Sequence, residues 1–542
     1  MALAWLCCWV VVAHATVHDI DAYGARRADP IASKINAAAL ETALVAAKQG
    51  DIVRVTAGKP YFMHGVAVSD VHGVALHIEG EVRIDNNVSS WYAESQNRRK
   101  KLRFLVLTNV SNFTVGGGGL IDGQGLVWWD AAITGSVPGI GETRPDMISF
   151  LYGIDVVIEH LTLRNSPHFH VRFEQCSRVT VRYVRIDVDR WAQRSVKARA
   201  HAKRIKSLGV PWTERAHEIA QRLYGLDVAT AGTALGASGG MAFGASDDAS
   251  VGAGGRAGGG APLHTGLPGL GYMREDWRDW LLDQLVRLLP AWALQPEDLN
   301  TDGIDPSGEG FHIHDCEIHN DDDSIAIKPA DLSQSVGCAQ HMLLENLVLT
   351  GFGASIGSVP PHADVNCVRN ITFRNVSMPG TGKGIYVKSN PMCGLGVDRH
   401  NRTVQRTALL EDIRFEDVRI DRPFWWPVWI GPQQQHEPGS ALGHKCALVY
   451  PLFGTQCPTQ GCATFRNIHL RNVTVNDPLL SPGVVLGNAS RPMQGIVFDG
   501  VRVRFGDNPL RGRFPWGRDY MCKAADVQNV AGTVPALQCA GD

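Results

Sequence analysis

The chain is predicted to be an all-β solenoid, a parallel β-helix, and three observations carry that expectation. Apolar alternations of roughly seven to ten residues return at a spacing near 25 from about residue 74 to about residue 505. Hardly any helical pattern lies between them. Hairpin signals such as Asn-Gly are scarce, and the copies resemble one another more than sandwich strands do, although a β-sandwich is the alternative architecture. A copy of this kind cannot close a core alone, so it must stack on the next one.

Residues 1–15 read as a secretion signal. Ala2 to Val12 is apolar and Ala13-His14-Ala15 is an A-x-A cleavage pattern, although no Lys or Arg precedes the apolar run. An amphipathic helix is expected over Ile35–Lys48, and GDIVRVTAGKPYFM then reads as turn, strand, turn, strand. The copies follow, among them VALHIEGEVRID (74–85), RVTVRYVRIDV (178–188), GFHIHDCEIHN (310–320) and FRNIHLRNVTV (465–475). Many carry Asn or Asp beside Val or Ile and end on a Gly, Asn or Asp turn.

One segment, 191–297, breaks the pattern. It holds helical stretches at about 192–208, 213–226 and 275–294, and a linker over 229–271 with 14 glycines in 43 residues. A lid, a partner-binding appendage, a tolerated loop insertion or translated non-coding sequence would each fit such a composition. The expected organisation is therefore a signal (1–15), a first part of the β-helix (16–190), the insertion, and a continuation over 298–542.

A net charge of −2 excludes a general nucleic-acid binder, which needs a basic surface. Beyond the signal, no run is long and apolar enough to span a bilayer, so an exported protein free of the membrane is expected. Cys7 and Cys8 fall in the signal. The other ten cysteines cluster in the C-terminal half and suggest disulfides, with Cys457–Cys462 the expected local pair. Eight N-x-S/T sequons begin at Asn87, Asn109, Asn112, Asn370, Asn375, Asn401, Asn472 and Asn488. No CxxC pairs with a second CxxC or an HxxxH, EF-hand spacing is absent, and neither metal nor cofactor is expected.

The chemistry concentrates in NTDGIDPSGEGFHIHDCEIHNDDDSIAIK, residues 300–328. Phe311 to Ile318 reads as a half-buried strand with Phe311, Ile313 and Asp315 on one face. Asp321, Asp322 and Asp323 adjoin an apolar run rather than a charged tail. Like charges there are useful as a carboxylate cluster, in which burial and mutual repulsion keep one group protonated beside ionised neighbours. Asp302 precedes Asp322 by about one coil, so adjacent strands could present them together. His312 and His314 share a face, and Trp128-Trp129 and Trp425-Trp426 offer sugar platforms or packing.

GGGLIDGQGLVWWD (117–130), NSPHFHV (165–171), NTDGID (300–305), DDDSIAIK (321–328), GFGASIGSV (351–359) and GIYVKS (384–389) resemble, in order and spacing, the signatures of the polygalacturonases, family 28 glycoside hydrolases. The resemblance runs from about Asp19 to about residue 505 and is interrupted at 191–297. It implies a right-handed parallel β-helix with an open groove, acting on α-glycosidic bonds of pectic galacturonan with inversion. It places the general acid on Asp322 and the water-activating pair on Asp302 and Asp323. An inverting site needs that division of labour.

Asn300 is expected to orient the carboxylates, and Asp321 stands where the family has Gly. Two departures concern specificity. The family's Gly-His-Gly is Gly351-Phe352-Gly353 here, and its Arg-Ile-Lys is Tyr386-Val387-Lys388. Lys388 would anchor an acidic sugar as a point charge, whereas Tyr386 would offer a stacking face and a hydroxyl. A rhamnogalacturonan-type chain thus stands beside polygalacturonan as substrate, and a non-catalytic polysaccharide-binding β-helix stands beside the enzyme. The expected partner is an acidic cell-wall polysaccharide met by a secreted monomer.

Overall fold

The computed structural model describes residues 15–98, 102–134, 144–193, 196, 300–329, 337–364, 366–390, 393–435, 446–447, 450, 457–459, 461–508 and 511–539. The expected signal, save Ala15, and nearly all of 191–297 lie outside these residues. The described chain winds into a parallel β-helix of two large sheets, one of 17 strands and one of 11. It is right-handed, the hand taken by parallel strands joined through a crossover.

Seven long strands make most of the larger sheet: Ile154–Arg164, Cys176–Asp187, Gly308–His319, Cys338–Leu349, Cys367–Pro379, Ala408–Asp421 and Ala463–Asn476. Each turns a corner in mid-strand at a residue with positive φ. The corners are His160, Tyr183, Asp315, Asn346, Asn375, Asp417 and Asn472, with φ between 49° and 55°. They stack in register, and the side chains form a ladder. Asn375 Nδ2 donates to Asn346 Oδ1 at 2.8 Å, and Asn472 Nδ2 donates to Asp417 Oδ1 at 2.7 Å. Left-handed backbone costs Asn and Asp least among residues with a Cβ, which explains why these residues punctuate the copies.

The corner also corrects the reading of one strand. Phe311 and Ile313 point inward, but Asp315 is the corner, so Cys316 and Ile318 take over the inner face. The interior is a continuous stack of aliphatic and aromatic side chains, with Phe150 on Phe173 and Phe373 on Phe415 at ring separations of 5.4 and 5.3 Å. The helix Ser33–Ala46 packs Ala37, Leu40, Ala43 and Leu44 against this core, beside the first strands.

Eight cysteines form four disulfides: Cys338–Cys367, Cys393–Cys462, Cys446–Cys457 and Cys522–Cys539. The expected Cys457–Cys462 bond is not made. Cys462 lies just ahead of the strand Ala463–Asn476 in the larger sheet, whereas Cys457 packs with Cys446 against the aromatic cluster around Trp429. Cys176 and Cys316 are buried thiols in the core. Trp128, Trp129, Trp425 and Trp426 are buried, so both tryptophan pairs pack.

The smaller sheet forms the face that carries the site. Its strands in order are Val66–Ser69, Leu105–Thr108, Ile148–Leu151, Val171–Glu174, Ile304–Asp305, Ile325–Ile327, Ala354–Val359, Ile385–Ser389, Val428–Pro432, Val484–Leu486 and Met521–Lys523. All pair in parallel, with Ile304, Ile325, Ala354, Ile385 and Val428 in register.

Candidate active site

Coiling brings residues distant in sequence onto neighbouring rungs. Two residues ahead of each registered position stand Asp302, Asp323, Phe352, Lys383 and Trp426, so these five occupy equivalent places on successive coils. Asp322 adjoins the second of them. One carboxylate oxygen from each of Asp302, Asp322 and Asp323 lies within 4.8 Å of the other two. The structure therefore brings together the three acids expected from the sequence. Asp302 and Asp323 are buried, and Asp322 is half-buried.

Hydrogen bonds tie the acidic turns to the coil beneath them. Asn320 Nδ2 donates to the Thr301 and Asp323 carbonyls at 3.0 and 2.9 Å, tying the two acidic turns together. His170, buried one coil earlier, donates to the Asp302 carbonyl from its backbone N–H at 3.0 Å and from Nδ1 at 2.9 Å. Its Nε2 accepts from the Ser166 N–H at 3.3 Å. Burial pushes the imidazole down to about 4, which keeps this tautomer neutral. Gly351, at φ 52°, passes so close to the Asp322 carbonyl that an added Cβ would lie 2.1 Å from it. Only glycine fits there.

Two lysines supply positive charge. Lys388 Nζ contacts Asp323 Oδ2 at 2.6 Å, and Ser355 Oγ donates to Asp323 Oδ1 at 2.7 Å. Lys328 Nζ lies 2.8 Å from Asp305 and 3.7 Å from Asp302. Asp322 Oδ1 accepts from the Asp323 N–H at 2.8 Å, and no cation lies within 4.0 Å of its carboxylate among the described residues. Burial first, and the Asp323 charge second, push Asp322 up to about 7. Burial, Asp305 and Asp322 also drive Asp302 well above the ordinary carboxylate range, against the pull of Lys328. Such a cluster titrates as a unit.

Two further side chains, Tyr386 and Lys388, fall elsewhere than expected. Tyr386 is 2% exposed. Its hydroxyl accepts from the Gln434 N–H at 3.0 Å, and Lys383 and Lys388 stand over its ring at 3.7 and 4.3 Å. The expected stacking face is thus covered. Lys388, with a side chain 8% exposed, is the counter-ion of Asp323 rather than a free anchor in the groove. Asp321 turns away from the cluster to pair with Arg190, whereas Asn300 is half-buried with φ 39°. Sequence reasoning passed over Lys328, Ser355 and His170, although all three lie inside the quoted motifs. It also passed over Lys383, which lies one residue before one.

Fold and site together define the class: a β-helix whose smaller sheet carries a glycosidase-type carboxylate set. The chain belongs to the glycosyl hydrolases family 28, whose sequence model matches residues 51–194 and 293–430, just over half of the chain. A polygalacturonase of Chamaecyparis obtusa is 28% identical over 182 residues, 32% of this chain and 34% of that protein. One of Cryptomeria japonica is 35% identical over 107 residues, 19% of this chain and 20% of that protein. These matched stretches span at most about a third of the relatives' length.

Among solved structures, the polygalacturonase of Erwinia carotovora ssp. carotovora aligns with a TM-score of 0.53 at 18% identity, covering 95% of this chain and 97% of that one. The endo-xylogalacturonan hydrolase of Aspergillus tubingensis aligns at 0.52 and 15%, covering 97% and 99%. At these identities the likeness is one of fold.

Proposed function

We propose that the protein is a secreted, monomeric, inverting hydrolase of α-glycosidic bonds in pectic galacturonan. The observation that carries the reading is the unequal supply of cations to three converging carboxylates. Asp323 has Lys388 at 2.6 Å, and Asp302 has Lys328 at 3.7 Å, whose charge works against the burial that raises the Asp302 carboxyl. Asp322 has no cation within 4.0 Å among the described residues and is the least buried of the three, so it keeps its proton and donates it to the glycosidic oxygen. Asp302 and Asp323 then hold and deprotonate the attacking water, and Asn300 helps to orient them. The four disulfides favour an oxidising compartment and so support export.

A second reading, hydrolysis of a less acidic pectic chain of the rhamnogalacturonan type, is favoured by the covered Tyr386 and the paired Lys388. Neither offers a free charge for a uronate. Purified protein incubated with each polymer separates the two. Release of reducing ends from polygalacturonate supports the first, and release from rhamnogalacturonan alone supports the second. No cleavage of either refutes both.

Stereochemistry is read from the first anomer formed. The nearest carboxylate oxygens lie closer than the roughly 6.5–9.5 Å typical of inverting carboxyl pairs, so the measurement bears directly on the mechanism. Inversion gives the β-anomer. An initial α-anomer would make one carboxylate a nucleophile and overturn the water-activating role of the pair.

A further inference from the structure

Lys383 is completely buried, and its Nζ has no hydrogen-bond partner among the described residues. A lysine is seldom found in that condition without a reason. What surrounds the ammonium is three aromatic rings, those of Tyr386 at 3.7 Å, Phe352 at 5.1 Å and Trp429 at 5.7 Å from centroid to Nζ. Ring faces attract a cation, and do so more strongly when water is excluded.

The lysine occupies the same column of the coil as the catalytic acids, one rung beyond Phe352 and two beyond Asp323. Two of the three cage rings, Phe352 and Tyr386, are the positions where this chain departs from the basic residues of the resembling motifs. A cation thus stands behind the place where two basic side chains are missing.

We propose that Lys383 is a positioning residue of the catalytic site: caged by Phe352, Tyr386 and Trp429, its ammonium supplies from behind the positive potential that positions 352 and 386 lack, and so sets the protonation of Asp322. The inference rests on the role given to that carboxylate above. The titratable groups facing the cage are Asp322, Asp323, Lys388 and the Tyr386 phenol, whose own ionisation burial moves upward. Burial, with Lys388 adding to it, pushes the Lys383 amine well below its usual value, and Asp323 and Asp322 pull the other way. The potential is therefore present at acidic pH and is lost once the amine gives up its proton.

The test is the pH profile of kcat/KM for wild type and Lys383→Met, whose side chain fills the cage without charge. Removing a cation raises the pKa of a nearby carboxylate, so the limb set by Asp322 should move to higher pH by about half a unit or more. A folded K383M enzyme with unmoved limbs, whatever its stability, reduces Lys383 to packing and overturns the proposal. Should K383M fail to fold, the same profile of K383Q decides it. If wild type cleaves neither polymer, the hydrolase reading fails separately. Lys383 is then judged by the infrared carboxyl band of Asp322, identified by its loss in D322N. In K383M that band should persist to higher pH than in wild type, and an unmoved band overturns the proposal.

Discussion

The two flanks of the carboxylate cluster are built from opposite materials. Toward the N-terminal coils the smaller sheet and its edges carry Arg172, Glu174, Asp305 and Lys328, with Arg172 and Arg103 on Glu174 at 3.2 and 3.0 Å. Toward the C-terminal coils it carries Phe352, Tyr386, Trp425, Trp426 and Trp429 in one buried cluster. Lysine changes character across this boundary. Lys328 is 30% exposed and within reach of water, Lys388 is 8% exposed, and Lys383 is sealed. The cations of the N-terminal flank keep partial access to water although their carboxylates are buried, whereas the Lys388–Asp323 pair is buried on both sides and costly to break. The three converging carboxylates sit where the two environments meet, so each can be held in a different protonation state.

The largest expected effect comes from removing the acid at that boundary. Asp322→Asn should lower kcat by about 10²–10⁴-fold, the usual contribution of a general acid, without loss of folding. Near-normal turnover would sink the assignment. The pH dependence has a definite sign. Asp322 is held up to about 7, so activity should fall as pH rises through that value. The folded chain binds this proton more tightly than the unfolded chain does. Its contribution to stability therefore declines as pH climbs from the ordinary carboxylate value through about 7. D322N removes the decline, so its thermal midpoint should overtake that of wild type above pH 7.

Much of this was legible in the sequence because the spacing of NTDGID and DDDSIAIK equals one turn of the coil. Asp302, Asp322 and Asp323 could be placed together from the coil repeat alone. The Asn and Asp punctuation was visible too, although its cause, the left-handed corner, needed the backbone. The rest depended on contacts no local pattern encodes. Tyr386 is covered because Gln434, 48 residues later, supplies the N–H above it. Lys383 carries no local signal, because its cage is made of three rings from three coils. The pairing of Cys457 with Cys446 followed from the aromatic cluster rather than from proximity in sequence.

A smaller effect should distinguish the dry flank from the wet one. Lys388→Met leaves the Asp323 carboxylate buried without its cation, a defect that costs about 3–5 kcal/mol when the pair is desolvated. The double variant K388M/D323N removes both charges and should recover most of that stability in chemical denaturation, while staying inactive. If K388M alone is as stable as wild type and loses only affinity for an acidic polymer, Lys388 faces the substrate instead. The dry flank would then be wetter than its burial implies.

The mildest change tests whether the aromatic flank is wall or subsite. Tyr386→Phe keeps the ring beneath Lys383 and Lys388 but withdraws the oxygen that accepts from the Gln434 N–H. A buried donor without an acceptor costs about 1–3 kcal/mol, so the melting temperature should drop modestly. Because the ring is 2% exposed, KM for whichever polymer is cleaved should stay the same. A KM that rises while stability holds would mean that the segment carrying Gln434 lifts away and the phenol meets sugar. The aromatic flank would then belong to the groove, and the boundary at Asp322 would lie farther along the sheet.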